Sequence, residues 1–462
     1  MSENLYNRRD FIKITGAMTA AAALSTAGCS DKKSLSRGGT LDLPTGEMSY
    51  RTAKNGDRIS LLGFGMMRLP TTDNRSARET DGEIDQEMVN SLIDEAIQYG
   101  VNYFDTSPAY CKGKSEAALG TALKKHPRDK FFVATKLSNF AESTWSREES
   151  IKIYEKSFRD LQVDTIDYML LHGIGMGEDG MKVFNSRYID NGILDFLLEE
   201  KQKGKIRNLG FSYHGDIAVF DHALAMDIDW DFVQIQLNYV DWLHAKEVNE
   251  RNTNAEYLYH EIQKKNIPAI VMEPLLGGRL ARLDNRNALN KLKQADPEAS
   301  PAAWALRYAG NPSGVLTVLS GMTFREHLRE NLRTCSPHKP LSQSELALLE
   351  DVAQTMLSYE TIPCNTCQYC MPCPYGLDIP SIFVHYNKCI NEEKYIKDPK
   401  DENYLKARRE FLIGYDRAVP RLRQADHCIG CNLCSSHCPQ RIKIPEEMRK
   451  IDRFVEMLKR QE

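Results

Sequence analysis

The chain predicts an α/β fold: a (β/α)8 barrel followed by a small, mainly helical, ferredoxin-like domain. Three observations carry this. Short apolar strand patterns alternate with amphipathic helical stretches eight times between residues 61 and 320, the order that closes a parallel sheet into a barrel. Polar side chains stand where several of those strands end, the rim on which such barrels do their chemistry. Eight of the twelve cysteines fall in two close sets between Cys364 and Cys438, a change of chemistry that marks a second domain.

Bulk properties agree. At 462 residues the chain suits one large domain plus an appendage. Its 42% hydrophobic and 27% charged residues are those of a globular protein. A net charge of -4 and a pI near 6.3 point to no nucleic-acid partner. No apolar run approaches the ~18 residues of a membrane-spanning helix.

In chain order, residues 1–30 resemble a twin-arginine export signal, with Arg8, Arg9, Phe11 and Lys13 followed by the apolar stretch AMTAAAALSTAG. That predicts export by the twin-arginine route to the periplasm. Cys29 closes a Thr-Ala-Gly-Cys run that partly resembles a lipoprotein signal, so a lipid anchor there is weighed against ordinary cleavage nearby. Membrane contact is expected only through such an anchor. Residues 31–47, rich in Lys, Ser and Gly, read as a tether.

The barrel is placed at 48–340. Asn55-Gly56 signals a hairpin. The eight strands are read at 61–69, 101–106, 131–137, 168–172, 206–212, 232–239, 269–273 and 315–320. Helical patterns such as EIDQEMVNSLIDEAIQYG and SREESIKIYEKSFRDLQVD separate them. A doubly wound sheet is the alternative, but Gly63-Phe64-Gly65 is too short for the phosphate turn that fold places after its first strand.

Asp105, Tyr110 in the loop after it, Lys136 and His172 stand at successive strand ends. Any one has a plain reading, Asp105 as a helix cap or His172 as a core histidine. All four on one rim read as a site. The stretch FDTSPAY…SEAALGTAL at 104–123 resembles the signature of the aldo/keto reductase superfamily, and the likeness runs from about 50 to 335. The resemblance implies a catalytic tetrad of Asp105, Tyr110, Lys136 and His172. Tyrosine titrates near ~10, so a nearby cation must help it act as an acid. Lys136 would supply that charge, Asp105 would hold Lys136, and His172 would steady the developing oxyanion.

The resemblance also implies a nicotinamide cofactor, NADP or NAD, as hydride donor. Its contacts would be Gly65, Met66, Ser212, Gln234, Met272, Glu330 and Asn331. Tyr213 stands where the family often has Asn, Met272 where an aromatic usually stacks, and His327 where an arginine usually clamps a 2′-phosphate, with Arg325 close by. Thr323 is expected to cap the last barrel helix. Cys111 replaces a usual glycine, and no base beside it suggests a catalytic thiol.

Residues 341–462 form the second domain, opened by a helix near 341–358. Cys428, Cys431, Cys434 and Cys438, with Pro439, have the C-x2-C-x2-C-x3-C-P spacing of a bacterial [4Fe–4S] site. Cys364, Cys367, Cys370 and Cys373, with Pro374, depart from it by one residue. Zinc sites favour two separated pairs, and adjacent C-x2-C runs make poor disulfide staples, so two clusters are expected. In such ferredoxins the last cysteine of each motif serves the other cluster. That assigns Cys364, Cys367, Cys370 and Cys438 to one, and Cys428, Cys431, Cys434 and Cys373 to the other. Cys335 and Cys389 are ordinary thiols. Some aldo/keto reductases carry such an extension, and the whole chain resembles them.

The expected function is an exported oxidoreductase that reduces an aldehyde or ketone, or oxidises an alcohol or sugar. The clusters either pass electrons to an outside carrier or staple the tail. The alternative is a non-catalytic nucleotide-binding or electron-transfer subunit on the same scaffold. The loops 173–192 and 240–252, mixing polar and aromatic residues, permit a sugar or another polar carbonyl.

Overall fold

A computed structural model describes residues 43–460, apart from 45, 81, 178, 249–251 and 439. The export signal, Cys29 and most of the tether lie outside the described residues. Asn55-Gly56 turns the antiparallel hairpin β1 (Tyr50–Thr52) and β2 (Arg58–Ser60), with Gly56 at φ +86°, a left-handed angle glycine adopts without strain. Eight parallel strands follow and close a barrel. They are β3 (Leu62–Gly65), β4 (Tyr103–Asp105), β5 (Phe132–Leu137), β6 (Ile166–Ile174), β7 (Ile206–Tyr213), β8 (Phe232–Gln236), β9 (Ala269–Met272) and β10 (Val315–Ser320). The expected (β/α)8 barrel is present, and each strand's ends fall within two residues of its predicted segment except that β3 stops short at a 3-10 turn, Met66–Arg68, and β8 ends three residues early at Gln236.

The helices begin where the sequence caps them. Asp85 accepts from the backbone of Met88 ahead of helix Gln86–Gln98, and Ser146 does the same for Glu149 ahead of Arg147–Leu161. Thr323 behaves otherwise. The helix Arg325–Cys335 starts from Phe324 with no side-chain cap, because the Thr323 hydroxyl instead donates to the Arg68 carbonyl at 2.8 Å. That bond ties β10 to the loop after β3.

The barrel is filled rather than hollow. Tyr103, Tyr168, Phe232, Ile270 and Leu316 meet in its interior together with Ala53 and Ile59 of the hairpin. Edge-to-face contacts between Tyr103 and Tyr168 (5.0 Å) and between Tyr168 and Phe232 (5.1 Å) lock this layer. The plug leaves chemistry only one rim, the carboxyl ends of the strands. There the register pairs Gly65 with Asp105 and Ser212 with Gln234.

After β10 the described residues contain helices and loops but no strand. Helix Gln343–Leu357 opens with a Ser342–Glu345 capping box and packs Leu349, Val352 and Ala353 against barrel residues such as Leu292 and Trp304. Helices Ile379–Asn391, Tyr404–Ala418 and Ile444–Arg460 enclose a separate core around Phe383, Tyr386, Phe411 and Phe454. The predicted helical tail is therefore present. Barrel and tail belong to one compact unit.

Candidate active site

Asp105, Tyr110, Lys136 and His172 come together at the mouth. Lys136 Nζ donates to Asp105 Oδ1 at 2.6 Å and to the Thr106 carbonyl at 2.8 Å, with both side chains buried. The same ammonium stands 4.8 Å from the centre of the Tyr110 ring. The His172 ring meets that phenol edge-to-face at 5.9 Å.

Burial sets the electrostatics. It pushes the Lys136 amine down and the Asp105 carboxyl up, each opposed by the other's charge. Burial also holds the Tyr110 phenol well above its ordinary value, with Asp105, Tyr369 and Glu273 pushing the same way. The expected lowering by Lys136 is not seen, because Asp105 already balances the ammonium. His172 is held well below the usual histidine range by burial, then by the charges of Lys136 and Arg187. It is a neutral imidazole at neutral pH. Its Nδ1 lies 2.6 Å from Ser138 Oγ and 3.3 Å from Ser107 Oγ.

Arg187, which sequence reading passed over inside the loop 173–192, braces this histidine. Its guanidinium is buried, donates to the His172 carbonyl at 2.7 Å and to Asn139 Oδ1 at 3.2 Å, and stacks on Phe140 and Tyr188. No carboxylate pairs with it among the described residues. Its signal was a lone arginine between aromatic residues, which resembles many surface loops.

The mouth opens into a cavity of about 1350 Å³. Gly65, Ser212, Gln234, Met272, Glu330 and Asn331 line it together with the tetrad. Met66 does not; it is fully buried under β3, and Met67 takes the wall position. Ser212 accepts from the backbone of Gly173 at 2.8 Å, and Gln234 Oε1 is buried without a partner, a free acceptor for a bound group. Asn331 donates to Ser320 at 2.9 Å. Arg325 is turned away toward Ser91 and Glu95 on helix Gln86–Gln98, so His327 remains on the wall. Tyr213 donates to the Gly215 carbonyl at 2.5 Å. Cys111 sits at φ 49° where the backbone suits glycine, and burial pushes its thiol up to about 11; it is a poor nucleophile.

The tail forms the far wall. Asn365, Thr366, Cys367, Tyr369, Cys438 and Arg441 line the same cavity. Asn365 packs on Gly277, where an added Cβ would stand 2.3 Å from its own Cβ. Arg441 donates to the Gly177 carbonyl, and Arg279 to Thr361 at 3.2 Å. Tyr369 stacks on Arg78 at 5.0 Å. Sequence reading had no access to this docking, since each contact joins positions far apart in the chain.

Among the described residues every cysteine is free, and no group of three or more His, Cys, Asp or Glu could hold a single metal ion. The thiols nonetheless sort into sets. Cys364 and Cys370 feel the charges of Cys367 and Cys438, and Cys370 also that of Cys434. Cys434 feels Cys428 and Cys373. Cys335 and Cys389 are buried in the barrel flank and tail core.

A plugged parallel barrel with a lysine–aspartate pair beneath a tyrosine on its catalytic rim defines a barrel oxidoreductase. The aldo/keto reductase family profile matches residues 61–354, well over half the chain. This chain belongs to the aldo/keto reductase family and is an NAD(P)-dependent oxidoreductase. A twin-arginine translocation signal matches residues 6–25, so export by that route is supported. An uncharacterised oxidoreductase of Bacillus subtilis is 28% identical over 310 residues, spanning 63% of this chain and 92% of the relative. L-galactose dehydrogenase of Arabidopsis thaliana is 26% identical, spanning 64% and 90%. An aldo-keto reductase from Bacillus halodurans in its holo form shares the fold, with TM-score 0.52 and 24% identity over 69% of this chain and all of that one.

Proposed function

We propose that this chain is an exported, periplasmic reductase of aldehydes or ketones, or the reverse dehydrogenase of alcohols or sugars, with two [4Fe–4S] clusters in its tail. The observation that carries the catalytic reading is the Lys136–Asp105 pair at 2.6 Å under the Tyr110 ring, beside a neutral His172. A nicotinamide, NADP or NAD, supplies the hydride when bound. Tyr110 gives its proton to the carbonyl oxygen, with the Lys136 ammonium beside its ring and Asp105 keeping Lys136 in place. His172 stays neutral and directs a ring nitrogen to the oxygen. Gln234, with its orphaned acceptor, and Ser212 suit a carboxamide, and Glu330 and Asn331, the expected adenosine contacts, line the same cavity.

The cluster reading is supported by the donor set of eight thiols and by their grouping. Cys364 and Cys370 feel the charges of Cys367 and Cys438, and Cys434 those of Cys428 and Cys373, in the sense of crossed ligation, while Cys370 also feels Cys434 across the two sets; Cys431 belongs to the second set by its spacing. A cluster carries one electron at a time. Cys367 and Cys438 border the cavity, whereas Cys431 is exposed. That polarity favours electron exchange with an outside carrier over a pure staple.

Replacing Tyr110 with Phe tests the catalytic reading: nicotinamide-dependent turnover should vanish while nucleotide binding and fold persist. Nucleotide binding with no turnover by the unaltered protein across a broad carbonyl panel would instead revive the non-catalytic subunit.

A further inference from the structure

Glu273 has no role in the chemistry above, yet it stands in the middle of the cavity. It follows Met272 at the carboxyl end of β9, on the rim that carries Tyr110. Its backbone is left-handed, φ +54°, in a loop where Leu276 (φ 47°) and Gly277 (φ +66°) are left-handed too. A non-glycine residue held there is strained, and such strain concentrates at ligand-gripping positions. The loop is fixed from below, since the Glu273 carbonyl accepts from Asn238 Nδ2 at 3.1 Å and from the Leu276 backbone at 3.0 Å. The side chain is therefore presented to the cavity by a locked backbone.

Its carboxylate has neither hydrogen bond nor ion pair among the described residues. Arg68, which feels its charge, already donates to the Gly277 carbonyl at 3.1 Å. Its charge is felt by Tyr110, by His214 and by Tyr369 of the tail. Opposite, Arg78 lies over the Tyr369 ring with its Nε buried and unpartnered. An unpaired carboxylate, a guanidinium already engaged with Tyr369 and an aromatic ring thus line the cavity that holds the proton donor.

We propose that Glu273, with Arg78 and the tail residue Tyr369, forms a subsite that reads the hydroxyl groups of a neutral polyhydroxylated substrate, a sugar or its polyol. This rests on the reading of Tyr110 as the proton donor and names the substrate class of that site. A carboxylate accepts from two neighbouring hydroxyls at once, a guanidinium donates to ring or hydroxyl oxygens, and the phenol covers the C–H face. An anionic carbonyl meets Glu273 as a like charge. A simple apolar aldehyde leaves both polar groups desolvated and unpaired, the circumstance in which sites discriminate most strongly.

The test is sugar binding to the intact, cluster-loaded protein, measured by titration calorimetry with aldohexoses and their mono-deoxy analogues. At least one hexose should bind, with a deoxy analogue tenfold or more weaker. Glu273→Gln should weaken that hexose at least tenfold with bound nucleotide and iron content unchanged, and Glu273→Asp should recover part of the loss. Tyr369→Ala should weaken it as well. Hexose affinity within twofold of the original in Glu273→Gln overturns the proposal, as does equal weakening of hexose and nucleotide, or binding of anionic carbonyls in place of sugars. The parent reading fails separately: Tyr110→Phe should keep hexose binding and lose turnover, and intact turnover there would sink the proton-donor role while leaving the binding result standing.

Discussion

At the barrel mouth the protein alone completes the arrangement. Lys136 has Asp105 at 2.6 Å, His172 has Ser138 at 2.6 Å, and Arg187 braces the histidine from behind. In the tail, eight thiols occupy two loops, and burial pushes Cys364 up to about 12 and Cys370 higher. These two thiols are protonated at neutral pH, with Cys364 Sγ accepting from the Thr366 backbone at 3.4 Å. The catalytic residues stand on strands whose pairing holds them; the thiols stand on loops. Tyr110 and Cys367 line the same cavity.

The largest effect should come from the finished centre. Tyr110→Phe removes the proton donor, and turnover should fall by about 10²–10⁴-fold, the usual worth of a positioned acid. Steady-state rates with a substrate that works in the unaltered protein check this. A loss confined to tenfold would mean the mouth is not where the proton moves.

The unfinished centre breaks differently. Cys438→Ser should remove about half of the bound iron and of the visible absorption if each of two clusters needs four thiolates. Cys389→Ser, a buried thiol outside both sets, should leave the iron content as it was. Iron analysis and the visible spectrum decide between them, and unchanged iron in Cys438→Ser would return the tail to an ordinary thiol-rich fold.

Much of the barrel was legible because its signals are local. Apolar strands recur at regular spacing, and a strand-end position such as Lys136 points to the mouth by topology alone. The thiol sets were legible by spacing alone. What escaped was tertiary. Gly277 against Asn365 and Arg441 on Gly177 join distant positions with no pattern to announce them, so the tail's place over the mouth was invisible. Glu273 was overlooked for another reason: only its neighbour Met272 had an expected role, and a left-handed backbone leaves no mark on a non-glycine residue. Thr323 kept the composition of a cap, but a competing carbonyl, that of Arg68, took its hydroxyl.

Acid should separate the two regions by a smaller amount. His385 is buried in the tail core against Phe411 and Tyr415, and burial lowers it from 6.5 to about 4. A depressed folded value means the unfolded chain binds the extra proton first. The stability is therefore whole above pH 6.5 and is lost as pH falls toward 4, on the order of 3 kcal/mol in all. All four tryptophans lie between Trp145 and Trp304 in the barrel, so tryptophan fluorescence follows that region, and the absorption of the proposed clusters would follow the tail. Urea unfolding at pH 7 and pH 5 should show the tail transition moving earlier in acid, and His385→Gln should flatten that shift relative to the unaltered protein. An equal shift in both would place the acid sensitivity elsewhere.

The smallest effect contrasts a barrel cysteine with those of the tail. Cys111 is held at φ 49°, ψ 43°, and Lys112 beside it at φ 55°, a conformation costing a non-glycine residue about 1–2 kcal/mol. Glycine relieves that, but it also loosens the unfolded chain by about 0.4–1 kcal/mol and gives up a half-buried thiol whose nearest polar neighbours, the Met66 and Met67 carbonyls, lie at 3.6 and 3.7 Å. Strain relief outweighs these losses by a narrow margin. Cys111→Gly should be stabilising by less than about 1 kcal/mol, read as a small rise in the fluorescence-monitored melting temperature. Turnover and its pH profile should stay unchanged, because a thiol raised to about 11 moves no proton at neutral pH. A collapse of turnover would show that Cys111, despite its burial, takes part in the chemistry one residue away.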